Sequence, residues 1–74
     1  MVTVNIKVIL SGSIIAQGTE VLDDDEIDGL RSLLVEACTG KLSYLKLTHG
    51  KIEYFINKEN LVKSIIQIDL DEKK

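Results

Sequence analysis

The chain has 74 residues, 45% of them hydrophobic, and a net charge of −3; that is enough for one domain, too apolar for disorder, and too acidic to hold nucleic acid chiefly through phosphates. One Cys and one His exclude an internal disulfide and are too few for a closed zinc site. A core of this size supplies only roughly 3–5 kcal/mol of net stability, so association with another copy is the remaining way to add to it.

Val2 to Leu10 alternates as a strand with one buried face does, placing Val2, Val4, Ile6, Val8 and Leu10 on one side and Thr3, Asn5, Lys7 and Ile9 on the other. Ser11-Gly12-Ser13 is expected to turn the chain into a return strand, Ile14 to Leu22, giving a hairpin over 1–22. A three-residue loop sets Ile14 opposite Leu10, Ala16 opposite Val8 and Gln17 opposite Lys7. Continued further, that register turns Glu20 inward and Val21 outward, and a bulge at Gly18 would correct it.

A helix is predicted over 24–39. Asp23 is its cap, the acids of its first turn complement the helix dipole, and Gly40 stands where a C′ residue belongs. Ile27, Leu30, Leu33, Leu34, Ala37 and Cys38 recur at helical spacing on the stripe that would cover the sheet. Gly29 lies inside the helix and weakens it by roughly 1 kcal/mol relative to Ala.

The remainder, 42–70, is predicted as a three-stranded meander, and 71–74 as a frayed charged tail. Its first two strands, within Leu42 to Ile56, turn at His49-Gly50 in a two-residue hairpin. Leu45, Leu47, Ile52, Tyr54 and Ile56 then share a core face. Tyr44, Lys46, Thr48, Lys51, Glu53 and Phe55 share the other, with Lys46 opposite Glu53 and Tyr44 opposite Phe55. Asn57 to Asn60 is a polar corner, and Leu61 to Leu70 the last strand. The order ββαβββ implies a single α+β domain: a five-stranded, mostly antiparallel sheet or partly curled barrel with one covering helix.

The face away from the helix receives Ile9, Ile15, Leu42, Tyr44, Phe55 and Ile65, more large apolar groups than water normally meets. Either the sheet curls over them or a second copy does, and a homodimer is the simplest assembly. Tyr44 with Phe55 reads equally as a stabilising cross-strand pair or as an interaction patch. Charge is uneven too: residues 1–40 carry two basic against seven acidic side chains, and residues 41–74 carry seven lysines against five acids. The acidic pole, Asp23, Asp24, Asp25, Glu26 and Asp28, suits a basic protein partner.

Other chemistry finds little support. Asp24, Glu26, Asp28 and Gly29 match the first half of a calcium loop, but its twelfth position is Val35 where a glutamate is required. His49 is expected at an exposed turn with no partner to orient it as a base. Cys38 is read as core packing, at a helix end that disfavours a thiolate. Tyr44 and Phe55 beside Lys46 and Lys51 are the one aromatic-plus-basic cluster, a thin basis for stacking single-stranded nucleic acid.

Leu45, Leu47, Thr48, Gly50, Ile56, Asn57, Leu61 and Val62 lie in a run that resembles small bacterial SH3- or Sm-like barrels, including the FlbD type of flagellar protein. The resemblance spans Leu45 to Ile66, excludes the first hairpin and helix, and implies turn chemistry rather than an activity. The small, motif-free build also resembles phage- or plasmid-encoded accessory proteins. The expectation is a non-enzymatic, self-associating interaction module without cofactors, acting on a protein partner; an Sm-like nucleic-acid binder is the alternative. The lone Cys, and the lack of a signal peptide or spanning segment, point to the cytoplasm and away from the membrane.

Overall fold

The computed structural model describes residues 1–72. In chain order the elements are β1 (Val2–Leu10), β2 (Ser13–Leu22), α1 (Asp24–Cys38), β3 (Tyr44–His49), β4 (Ile52–Asn57), α2 (Lys58–Lys63) and β5 (Ile65–Glu72). The strands form two antiparallel sheets, one ordered β2-β1-β5 and the other β3-β4, which do not close into a barrel.

β1 is the central strand. Its alternation places Val2, Val4, Ile6 and Val8 in the core, where they meet Ala16 of β2, Ile27, Leu34 and Ala37 of α1, Leu45, Leu47 and Ile56 of the second hairpin, and Leu61 of α2. The β1–β2 turn has two residues, not three. Ser11 and Gly12 both take positive φ, 53° and 80°, the pattern of a type I′ turn whose twist matches the strands it joins. Ser13 therefore faces Leu10 and Ile14 faces Ile9, and the predicted pairings of Ala16 with Val8 and Gln17 with Lys7 return only because Ile15 is an extra residue in the ladder. The bulge thus sits at Ile15. At Gly18 the register is unbroken, and Glu20 and Val21 both end up exposed.

Gly18 has a different task. A Cβ there would lie 3.2 Å from Leu47 Cβ and 3.4 Å from the Thr48 carbonyl oxygen, so its bare backbone lets β2 lie close against β3 and brings the two sheets together.

α1 begins as the sequence suggests, with the Asp23 N–H donating to Glu26 Oε1 at 3.0 Å, the return half of a capping box. It ends in a Schellman motif: Lys41 N–H reaches the Glu36 carbonyl and Gly40 N–H the Ala37 carbonyl, with Gly40 at φ +82°. Ile27, Leu34 and Ala37 are buried, whereas Leu33 and Cys38 are exposed. The buried stripe is narrower than predicted because the helix packs on α2 and along one side of the sheet. A Cβ at Gly29 would meet nothing within 4 Å. Gly29→Ala should therefore raise stability by roughly 0.5–1 kcal/mol through helix propensity, read as a higher urea midpoint at unchanged slope.

The second hairpin turns one residue later than expected. Gly50 and Lys51 form the turn, with Gly50 at φ +63°, and Lys46 now faces Phe55 while Tyr44 faces Asn57. The slip amounts to two residues of register, which leaves every side chain on its predicted face. Leu45, Leu47 and Ile56 are buried, but Ile52 at the tip is exposed.

Leu61 to Lys63 is helix rather than strand. Asn57 Oδ1 accepts the Asn60 N–H at 3.1 Å, Lys58 N–H ties the new helix to the Ser43 carbonyl, and Glu59 pairs with Lys63 one turn on. After this turn β5 leaves the hairpin and pairs with β1, so the predicted meander is not formed. Asp71 and Glu72, assigned to the frayed tail, face Thr3 and Val2 in that ladder. Lys73 and Lys74, also in that tail, lie outside the described residues.

Candidate interaction surfaces

The register assembles the side chains that leave the outer face of the larger sheet. Ile9 faces Ile14 on one flank and Ile65 on the other, so three isoleucines stand in one row across β2, β1 and β5. Ile14 is 54% and Ile65 68% exposed. Ile15, in the bulge beside the row, is partly open. The next two rows of this face are polar, Gln17, Lys7 and Gln67, then Thr19, Asn5 and Asp69, and the last sets the exposed Val21 beside Thr3 and Asp71.

Tyr44 and Phe55 form a second apolar group on the other sheet. They are diagonal neighbours, with ring centroids 6.5 Å apart and planes tilted by 37°. Beside them Lys46 Nζ lies 2.7 Å from Glu53 Oε2. The Lys46 ammonium is held above its ordinary pKa, first by its hydrogen bond to Glu53 and then by that carboxylate's charge. Its charge is thus already matched. Leu42, expected on this outer surface, instead packs against the core. The six predicted interface residues therefore divide: Ile9 with Ile65, Tyr44 with Phe55, Ile15 in the bulge and Leu42 inside.

The acidic pole is larger than the sequence suggests. Asp71 faces Thr3, which faces Val21, two residues before Asp23. Asp69 and Asp71 thus stand at the same end of the sheet as Asp23, Asp24, Asp25, Glu26 and Asp28. Among the described residues the only ion pair of this group is Asp28 with Arg31, at 3.5 Å.

A trench runs between α1 and β5. One part, about 370 Å³, is lined by Leu34, Val35 and Cys38 of the helix and Ile66 and Ile68 of the strand. Next to it, Asp24, Ile27 and Asp28 face Leu70, and Arg31 borders both parts. The strand beside it is paired on one edge alone: among the described residues β5 has only β1 as a strand partner and β4 only β3, so each leaves one edge free.

His49 closes β3 rather than occupying the turn. Its Nδ1 lies 3.0 Å from Thr19 Oγ1, and the Thr19 hydroxyl donates to Asn5 Oδ1 at 3.1 Å. The chain of bonds stitches the hairpin tip to the larger sheet at the point where Gly18 lets the strands meet. Among the described residues no three His, Cys, Asp or Glu side chains converge as a metal site, and no helix is long and apolar enough to cross a membrane. No protein-family model matches the chain, and neither a curated protein nor a solved structure is matched by it.

Ile14, Asp69, Asp71 and Val35 were not among the expected surface residues. The turn signal Ser11-Gly12 would have found Ile14, since a two-residue loop places it beside Ile9. The others depend on β5 pairing with β1, for which the sequence carries no local sign.

Proposed function

We propose that the chain is a non-enzymatic interaction module that self-associates as a dimer and presents its acidic end to a basic protein partner, acting by occlusion or as a scaffold. The observation that carries this reading is the Ile14–Ile9–Ile65 row. Contiguous apolar groups on the outside of a sheet mark a surface that another molecule covers, and a small core without a disulfide or metal gains most from such a contact. Tyr44 and Phe55 extend the apolar surface on the second sheet, as aromatic anchors commonly do in interfaces. The alternative, a single-stranded nucleic-acid platform built on Tyr44, Phe55, Lys46 and Lys51, is weaker because Glu53 occupies Lys46.

The test is solution mass by light scattering after size exclusion, over a dilution series. A dimer has twice the 8.2 kDa of one chain. Ile65→Asp and Phe55→Asp each place a charge at a wide-open position, so both are expected to fold and to shift the mass to that of a monomer. A monomer in the unsubstituted protein at all concentrations sinks the proposal.

A further inference from the structure

We infer that the free edge of β5, together with the trench between β5 and α1, binds an extended segment of a partner protein in which apolar residues alternate with lysine or arginine. The inference rests on reading the chain as a protein-binding module, and specifies where and in what form the basic partner is held.

Three observations on the same strand lead to it. No strand pairs with the outer edge of β5 among the described residues, so the N–H and C=O groups along Ile65 to Glu72 that do not bond β1 are available to a further strand. The two faces of β5 differ in chemistry. Ile66, Ile68 and Leu70 look into the trench beside Leu34, Val35 and Ile27, whereas Gln67, Asp69 and Asp71 lie on the opposite face. An added strand places alternate side chains next to these two sets, because cross-strand neighbours share a face. Its inward residues must therefore be apolar, to fill the trench. Its outward residues near Asp69 and Asp71 must be cationic, since among the described residues neither acid has an ion-pair partner.

The trench departs from a wholly apolar lining at one end, where its charge favours the same cationic partner. Its walls are apolar beside Ile66 and Ile68 and acidic beside Leu70, where Asp24 and Asp28 outnumber Arg31. A cationic residue at that end of the bound segment would meet Asp24. A segment with glutamate or aspartate at the outward positions would instead place like charges side by side, which destabilises a strand pair.

The probe is a synthetic peptide of about nine residues, a usual strand length, alternating valine and lysine. Its controls are the valine–glutamate analogue and a valine–lysine peptide N-methylated at alternate backbone nitrogens, which removes strand donors and keeps the charge. The valine–lysine peptide is expected to bind and to slow hydrogen exchange along β5, with chemical-shift changes at Val35 and Ile68. Both controls should bind at least roughly tenfold more weakly, a difference of about 1.4 kcal/mol. Val35→Asp and Asp69→Lys, both at exposed positions, should each weaken binding by a similar factor and leave the unfolding midpoint close to that of the unsubstituted protein.

Equal binding of the methylated peptide would overturn strand addition, and equal binding of the glutamate analogue would overturn the charge argument. If β5 amides are already protected in a dimer without peptide, and that protection falls away on dilution, the occupant of the edge is a second copy and the inference is wrong. Failure of the peptide beside a dimer that Ile65→Asp dissociates would remove this site alone and leave the module reading intact.

Discussion

Leu61→Ala is expected to cost about 2–5 kcal/mol, comparable to the whole net stability of a domain this small. Leu61 is fully buried although it belongs to the single turn α2. That turn touches α1, β1, β3 and β4, so its one buried leucine fills the space where the helix and both sheets converge. None of these elements can close the resulting cavity without giving up another contact. The measurement is urea unfolding followed by circular dichroism. The variant should be largely unfolded without denaturant at room temperature, or have its midpoint moved to a small fraction of the original. Val62→Ala, at the neighbouring exposed position, should stay within roughly 0.5 kcal/mol. A Leu61→Ala protein that melts beside the unsubstituted one would show that α2 is an ornament on the surface.

Gly18→Val is the second large effect, expected at about 1–3 kcal/mol. The reason is steric and not conformational, since Gly18 is absent from the positive-φ positions, which are Ser11, Gly12, Gly40 and Gly50. The new Cβ would crowd both Leu47 Cβ and a backbone oxygen of β3, and the two methyl groups of valine add bulk at that contact. β2 must then move away from β3. The loss should therefore carry a spectroscopic signature, with nuclear Overhauser contacts between Gly18 or Thr19 and Leu47 to His49 weakened while those of the β1–β2 and β1–β5 ladders persist. Uniform loss of all three sets would refute the view that Gly18 matters locally. Gly18→Ala should act in the same direction and less strongly, which separates crowding from general intolerance.

What the sequence conveyed well was periodicity. The alternation in β1, the capped helix and the two faces of the second hairpin all follow from local spacing, and the hairpin faces survive a turn shifted by one residue because such a slip preserves parity. Errors arose where a local pattern had two solutions. Leu61-Val62 ahead of an alternating run reads as the start of a strand, and only the Asn57-to-Asn60 cap spacing and the Glu59/Lys63 pair favour a helical turn. Ser11-Gly12-Ser13 fits a loop of three or of two residues, and only the two-residue solution sets Ile14 beside Ile9 and requires the bulge at Ile15. Cys38 satisfies helical spacing, but spacing cannot tell how wide a stripe the neighbours cover. The surfaces were less legible than the fold. Charge counted by halves of the chain separates Asp69 and Asp71 from Asp23 to Asp28, whereas the β1–β5 ladder brings them to one end.

That ladder also orders events in time. β1–β2 and β3–β4 are hairpins that each close over a few residues and can form early, but the third strand of the larger sheet must be recruited from the far end of the chain. Closing so long a loop is entropically costly before its contacts repay it. β5 is therefore expected to dock last, after two preformed hairpins and α1 have gathered around β1. Until then β1 has an open flank of its own, a row of backbone N–H and C=O groups that β5 later pairs. The strand that covers this flank keeps a free edge of its own in the folded protein.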